Sequence, residues 1–105
     1  MKIALCQITI GENETENLER ELAALEQAAA CGAELIVYPE LQLHRFFPQY
    51  AGLDAADKLL CIDDPVIRRF QDACRQQHIM AAPNFYLREP TGHFDATLLI
   101  DSDGT

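Results

Sequence analysis

The spacing of apolar positions predicts a strand, a helix and a second strand in the first 40 residues. Residues 3 to 9 are nearly continuously apolar, which is typical of a strand covered on both faces. Residues 34 to 39 form a second short apolar run that contains β-branched side chains. Because the connections are short, this order predicts a right-handed βαβ unit with parallel strands. Between the strands, apolar residues recur at steps of four, three and four and line one face of a helix: Leu18, Leu22, Leu25 and Ala29.

Both ends of this first helix are marked in the sequence. Asn13 is a suitable N-cap, and Glu16 follows it three residues later as its partner. Gly32 suits the position that ends a helix. The first half of the helix, where the helix dipole favours anions, carries a group of acidic residues: Glu14, Glu16, Glu19 and Glu21.

A second helix is predicted in the middle of the chain. Asp64 and Pro65 are typical of a helix start, and the helix is expected to end near residues 77 and 78. The segment before it is less regular, with one short helix expected at residues 54 to 60.

The last part of the chain predicts a β-hairpin. Residues 79 to 87 and 94 to 100 have the composition of strands, and a turn at residues 89 to 92 separates them. We therefore expect an antiparallel pair, in which Pro83 marks an edge, a bend or a bulge.

Length and charge limit the classes of function. The chain has 105 residues, enough for one domain, and carries 17 Asp and Glu against 8 Lys and Arg, a net charge of −9. This surplus of acid opposes binding to a nucleic-acid backbone or to an anionic membrane, so neither is expected as a partner. The apolar run of residues 3 to 10 is too short for a secretory signal, and no run approaches a membrane span. The predicted location is the cytoplasm.

The four cysteines, Cys6, Cys31, Cys61 and Cys74, contain no C-x-x-C pair. A zinc site would need paired ligands, so no metal is predicted. Each cysteine lies in an apolar or helical context, and we expect mostly buried, reduced thiols.

Glu40 is the carboxylate whose position indicates chemistry. It follows directly on the second predicted strand, at the carboxyl end, where open α/β sheets bind ligands. Screening by Tyr38, Phe46 and Phe47 would raise the pKa of its carboxyl group and suit it to the role of general base. The alternative is an ordinary solvated glutamate that ends a strand.

The residues after Glu40 leave two further alternatives open. Phe46 and Phe47 either form the wall of a substrate pocket or hold a loop under the core. Glu40 and His44 are four residues apart and would share a metal on one helical face. Pro39 and the aromatic residues oppose that helix, and no third ligand is near.

These segments resemble the nitrilase, or carbon–nitrogen hydrolase, superfamily. The similarity begins with MKIALCQ, continues through Asn17-Leu18, and is most specific in GAELIVYPEL at residues 32 to 41. It extends through FFPQ at residues 46 to 49 to the final LLIDSDGT. The FFPQ segment is most similar to the branch that acts on N-carbamoyl amines and amides, the N-carbamoylputrescine amidase-like branch.

The resemblance implies an αββα sandwich with a glutamate base, a lysine and a cysteine nucleophile, and no metal or organic cofactor. Glu40 matches the family's glutamate in its strand-end Pro-Glu motif. The family's lysine and cysteine lie beyond the counterpart of residues 103 to 105 and have no match here. We therefore expect the α/β class, with residues 1 to 105 as the amino-terminal, incomplete part of the sandwich, inactive alone.

The resemblance also implies partners. These are a small amide or carbamoyl substrate for the full-length parent, and a second copy of the chain through an exposed sheet face. A self-standing binding or regulatory module without catalysis is the alternative. A receiver-type domain is a third hypothesis, but it requires an acidic pair directly after the first strand and a lysine near a later strand end, which this sequence lacks.

Overall fold

The predicted α/β class and the opening βαβ unit are confirmed by a computed structural model, which describes residues 1–39, 42, 60–89 and 92–105. The short helix expected at residues 54 to 60 lies outside the described residues, except for Leu60, which forms an isolated parallel bridge with Leu87. The described elements are β1 (Ile3–Leu5), α1 (Glu14–Ala30), β2 (Leu35–Val37), α2 (Pro65–Gln77), β3 (Met80–Ala82), β4 (Asn84–Glu89) and β5 (Gly92–Thr97).

Helix α1 begins and ends where the sequence predicts. The Asn13 side chain accepts a hydrogen bond from the backbone N–H of Glu16 at 3.0 Å, which satisfies one of the free donors of the first turn. At the other end Gly32 has a φ of +84°, a left-handed conformation that glycine adopts without strain. The three leucines of the predicted stripe are all buried, together with Ala28.

Helix α2 also starts at its predicted cap. The Asp64 carboxylate accepts the N–H of Val66 at 2.9 Å, and Pro65 occupies the first turn, where its missing donor costs nothing. The helix ends at His78, which has a φ of 54°, and the His78 N–H bonds to the carbonyl of Cys74. Its apolar side contributes Ile67, Phe70 and Cys74 to the core.

Strands β1, β2 and β3 form one parallel sheet in that order. Ile3, Leu35 and Met80 stand in register across it, as do Leu5, Val37 and Ala82 two residues later. Because side chains alternate along a strand, these six residues share one face. The residues between them, Ala4, Ile36 and Ala81, share the other face, and there Ile36 and Ala81 are buried.

The single strand expected at residues 79 to 87 is wrong, because Pro83 divides it. Proline has no N–H to donate and so interrupts a ladder of hydrogen bonds. β3 therefore ends at Ala82 in the parallel sheet, and β4 pairs with β5 in the predicted antiparallel hairpin. The second hairpin strand also differs from its predicted range of 94 to 100, since β5 spans Gly92–Thr97.

The strand predicted at residues 3 to 9 is shorter in the structure. β1 ends at Leu5, although the N–H of Cys6 still bonds to the carbonyl of Val37 at 2.8 Å. Residues 7 to 10 then leave the sheet and line a concavity at its carboxyl edge, which is described below.

The prediction of mostly buried thiols is correct for two of the four cysteines. Cys6 and Cys74 are buried, whereas Cys31 and Cys61 are exposed. Cys31 caps the end of α1 and Cys61 lies just before α2, positions that face solvent.

The core between the helices and the sheet is centred on Phe70 of α2. Its ring makes edge contacts with Tyr38, at 5.4 Å between ring centroids, and with Phe85, at 5.7 Å. The described parts of the chain contain no helix with the length and hydropathy needed to cross a membrane.

Candidate functional site

The carboxyl ends of β1 and β2 border a concavity of about 430 Å³. Its walls are formed by residues 6 to 10, which follow β1, and by Pro39, which lies two residues after β2. Ligands of open parallel sheets bind at this edge, because the segments that follow neighbouring strands separate there and leave a crevice lined by backbone groups and loop side chains. The concavity is therefore the candidate site.

Glu40 is the next residue in the sequence after Pro39, but Glu40 itself lies outside the described residues. The same holds for Phe46, Phe47 and His44. The structure thus places the residue before Glu40 at the candidate site, and the roles predicted for Glu40, Phe46 and Phe47 stay predictions.

A buried asparagine of α1 holds the wall that follows β1. The Asn17 side-chain carbonyl accepts the N–H of Gly11 at 2.9 Å, and its amide donates to the carbonyl of Gly11, also at 2.9 Å. Arg20, one turn further along the helix, donates to the carbonyl of Thr9 at 3.2 Å. The segment between β1 and α1 is therefore tied to the helix that follows it.

Tyr38, two residues before Glu40 in the sequence, is directed into the core rather than into the concavity. Its hydroxyl donates a hydrogen bond to the backbone carbonyl of Glu21 at 2.7 Å. Burial, with smaller contributions from Cys6, Glu21 and Cys74, raises the pKa of this hydroxyl. Tyr38 is thus a neutral anchor between the end of β2 and the middle of α1.

Gln42 lies two residues after Glu40 and is fully buried. Its side-chain Oε1 accepts the backbone N–H of Asn84 at 2.8 Å, and the backbone N–H of Gln42 donates to the backbone carbonyl of Asn84 at 3.4 Å. The Asn84 amide in turn donates to the Thr97 hydroxyl at 2.9 Å. Gln42 is therefore fixed to the first residue of β4 and, through it, to the hairpin.

Glu21 is a buried carboxyl group that the sequence reasoning did not single out. It has 0% exposure, and burial raises its pKa to about 8, against the lowering effect of the Gln42 amide. The group is therefore mainly protonated at neutral pH. The signal was present in the spacing, because Glu21 lies three residues after Leu18 and four before Leu25, within the apolar stripe.

The two buried thiols are not activated nucleophiles. Burial raises the pKa of Cys6 to about 11, with a smaller contribution from Glu21, and burial alone raises that of Cys74 to about 11. The thiolate is the reactive form of cysteine, and both groups stay protonated near neutral pH. Cys6 lines the concavity, but as a protonated thiol it acts there as a small apolar side chain and not as a nucleophile.

The sequence matches the family model for the carbon-nitrogen hydrolase domain over residues 2–105. The chain belongs to the carbon-nitrogen hydrolase family. This confirms the resemblance noted in the sequence.

Two curated proteins are similar to the whole chain. A citrullinase from Francisella tularensis is 27% identical over 106 aligned residues, and an N-carbamoylputrescine amidase from Oryza sativa is 24% identical over 106. The alignments cover 100% of this chain but only 37% and 35% of those two proteins. The chain therefore spans little more than a third of the length of either relative.

Solved structures show the same relation in three dimensions. An amidase from a Nesterenkonia species superposes with a TM-score of 0.76 at 25% identity, covering 99% of this chain and 39% of the amidase. A carbon-nitrogen hydrolase from Helicobacter pylori superposes with a TM-score of 0.87 at 16% identity, covering 98% and 36%. The described elements thus have the fold of the amino-terminal part of a carbon-nitrogen hydrolase.

Proposed function

We propose that this chain is the glutamate-bearing, amino-terminal portion of an enzyme that hydrolyses C–N bonds in small amides or N-carbamoyl compounds. The observation that carries the proposal is the family match over residues 2–105. Citrulline and N-carbamoylputrescine, in the names of the two curated relatives, both end in a ureido group. A terminal carbamoyl group is therefore the substrate feature we propose first, with simple amides second.

In the proposed mechanism Glu40 is the general base. It takes the proton from a cysteine thiol, and the thiolate attacks the carbamoyl or amide carbon to form a tetrahedral adduct. A lysine stabilises the oxyanion of that adduct. When the C–N bond breaks, the proton returns from Glu40 to the leaving nitrogen. Water then hydrolyses the S-acyl intermediate, which is a thioester from an amide and a thiocarbamate from an N-carbamoyl compound. The lysine and the cysteine belong to the longer enzyme and not to residues 1 to 105.

Two observations support this division of roles. Pro39, directly before Glu40, lines the concavity at the sheet edge. The Nesterenkonia amidase is described with covalent addition at an active-site cysteine, whereas the buried thiols of this chain have pKa values raised to about 11. A nucleophilic cysteine in the longer enzyme, outside residues 1 to 105, agrees with the active-site cysteine of the amidase and with the raised pKa values of the buried thiols. Phe46 and Phe47 are proposed as substrate contacts of the same enzyme.

The proposal is tested by two activity measurements. Ammonia release from citrulline, N-carbamoylputrescine and simple amides should not exceed background with the 105-residue chain, because a catalytic unit that lacks members loses most of its rate. If the reading frame continues past Thr105, the extended protein should be active, and Glu40→Gln should lower its kcat by about 10³-fold or more. Activity of the short chain that survives Glu40→Gln would overturn the proposal.

The alternative function, a self-standing binding or regulatory module, predicts a different result. It requires a 105-residue protein that is monomeric and cooperative in its unfolding, with no lysine or cysteine encoded downstream.

We also propose that the enzyme is cytoplasmic and forms homo-oligomers. The first follows from the cysteine content, and the second from the apolar sheet face that carries Ile3 and Leu5.

A further inference from the structure

Three buried polar atoms lack a hydrogen-bond partner among the described residues, and they lie on two side chains. These atoms are the two carboxyl oxygens of Glu21 and the Nε2 of Gln42. Neither side chain is exposed to solvent. A buried polar atom without a partner is strongly unfavourable, so a native structure retains one only where it has a role or gains a partner.

The three atoms belong to one cluster. The Gln42 amide lies close enough to Glu21 to lower the pKa of its carboxyl group. The Gln42 Oε1 is already bonded to the N–H of Asn84 at 2.8 Å, which fixes the plane of the amide and leaves only its Nε2 to donate. An Nε2–H bond to a Glu21 oxygen would satisfy the donor and one acceptor together.

Residue 21 is linked to the chain on both sides of Glu40. Two residues before Glu40, the Tyr38 hydroxyl donates to the backbone carbonyl of Glu21 at 2.7 Å. Two residues after Glu40, Gln42 presents its amide to the side chain of the same Glu21. One residue of α1 thus meets both ends of the five-residue segment that contains Glu40.

We propose that Glu21 is a positioning residue, which holds the Gln42 amide and thereby fixes the chain at the carboxyl edge of the sheet, two residues beyond Glu40. This inference rests on the proposed function in one respect, the catalytic role of Glu40. Glu21 itself touches no reacting atom; it acts through Gln42.

The surroundings of Glu21 keep the carboxyl group neutral. Among the described residues, the titratable groups that interact with it are Cys6, after β1, and Tyr38, after β2, and Tyr38 also interacts with Cys74 of α2. Burial raises the pKa of these three groups, so none of the three carries a charge that would compensate an ionised Glu21. Ionisation of Glu21 near pH 8 therefore changes the strength of its bond to Gln42 and should be visible at that amide.

The test follows the Gln42 side-chain amide by nuclear magnetic resonance as the pH is raised from 6 to 10. The 105-residue chain carries Leu5→Lys, which places a charge on the exposed apolar face of β1 and opposes association of the chain. With Glu21 present, the Gln42 NH₂ signals should shift with a midpoint near pH 8. In Glu21→Gln the shift should vanish. The control is Glu26→Gln, which removes an exposed carboxyl group of the same helix and should leave the midpoint unchanged.

Hydrogen exchange at the Asn84 N–H tests the positioning itself, because that group donates to Gln42. Glu21→Leu replaces the carboxyl group with an apolar group and removes the acceptor, so it should speed Asn84 exchange at least tenfold. The Ala81 N–H, which bonds to Ile100 at 3.0 Å, should be unaffected. Glu21→Gln should retain the protection of Asn84, because a glutamine oxygen still accepts the bond.

Two results would overturn the inference: Gln42 signals that do not titrate with Glu21, or unchanged Asn84 exchange in Glu21→Leu. If Glu21→Leu does not fold, the titration with Glu21 present, compared with that of Glu21→Gln, decides alone. Neither measurement depends on enzyme activity. If an extended protein had no hydrolase activity, the proposed function would be wrong, but the two measurements would still decide whether Glu21 holds Gln42.

Discussion

The two faces of the parallel sheet carry similar side chains in opposite surroundings. On one face Ile36 and Ala81 are 1% and 0% exposed, in a single core with the leucines of α1 and with Phe70 of α2. On the other face Ile3 and Leu5 are 52% and 78% exposed. Leu35 and Val37, which continue that second face across the sheet, are only partly buried.

The difference shows that apolar composition and burial are separate properties of a strand. The near-continuous apolar sequence of β1 and β2 is typical of a sheet with layers on both sides, and α1 and α2 form one of those layers. On the other face the described residues leave the β1 side chains Ile3 and Leu5 exposed. An apolar patch of this kind is rare on monomers and is typical of an interface.

The largest expected effect concerns association through this open face. Covering several hundred Å² of apolar surface at about 25 cal/mol per Å² is worth several kcal/mol, so the 105-residue chain should pair sheet to sheet or aggregate at micromolar concentration. Leu5→Lys places a charge on the edge strand β1, at the most exposed apolar side chain of that face, and should raise the dissociation constant by about 100-fold or more. Sedimentation velocity over a concentration series measures the change.

Ala23→Lys is the matched control for that experiment. It adds the same charge to an exposed position of α1, away from the open face, and should leave association unchanged. A wild-type chain that sediments as a sharp monomer and binds no hydrophobic dye would contradict the prediction. In that case residues 1 to 105 would close their own core, as the self-standing module requires.

The second prediction compares one residue type on the two faces. Ile36→Ala removes a fully buried side chain and should lower the free energy of unfolding by about 2–5 kcal/mol. Ile3→Ala, in the neighbouring strand on the open face, should lower it by less than about 0.5 kcal/mol. Both are measured by urea unfolding in the Leu5→Lys background, so that association does not contribute. Equal losses would show that the open face is covered in solution.

The elements that sequence reasoning predicted well are those with local causes. The cap at Asn13, the left-handed Gly32 and the Asp64-Pro65 start each depend on a few neighbouring residues, and all three are as expected. The strand break at Pro83 was only partly predicted. Proline indicates an interruption, but which sheet each half joins depends on distant partners such as β2 and β5.

The candidate site was predicted less completely, for a physical reason. Its edge follows from the βαβ unit, but β2 ends at Val37, and Pro39, which was predicted as the last residue of that strand, lines the concavity instead. The buried Glu21 was assigned to the acidic group in the first half of α1. Its charge predicts an exposed side chain, whereas its spacing between Leu18 and Leu25 predicts a buried one. Tertiary packing decides between them, and Gln42, which is distant in sequence, supplies the neighbouring amide.

A third prediction follows from this buried carboxyl group. Its folded pKa of about 8 exceeds the ordinary value of 4.5, so the folded state binds the proton more tightly. The resulting stabilisation is complete below about pH 4.5 and is lost as the pH rises through 8. Between pH 7 and 8 the free energy of unfolding should fall by about 1 kcal/mol in the wild type, and this loss should be absent in Glu21→Gln.

Urea unfolding at a series of pH values measures that slope, and Glu26→Gln is again the control. Because Glu26 is exposed, its replacement should keep the wild-type slope. A slope that persists in Glu21→Gln would assign the pH dependence to another group and would contradict the burial of Glu21.

The last prediction separates the exposure of a side chain from its contribution to stability. Asn13 is exposed, as Ile3 is, but its side chain accepts the Glu16 N–H at 3.0 Å and so satisfies a donor at the start of α1. Asn13→Ala should therefore lower the free energy of unfolding by about 1 kcal/mol, more than Ile3→Ala despite the smaller apolar change. Asn13→Asp should restore stability, because aspartate also caps and its charge suits the helix dipole. Exposed Thr15→Ala, which removes no capping bond, is the control; a loss as large as that of Asn13→Ala would mean that the cap is not the cause.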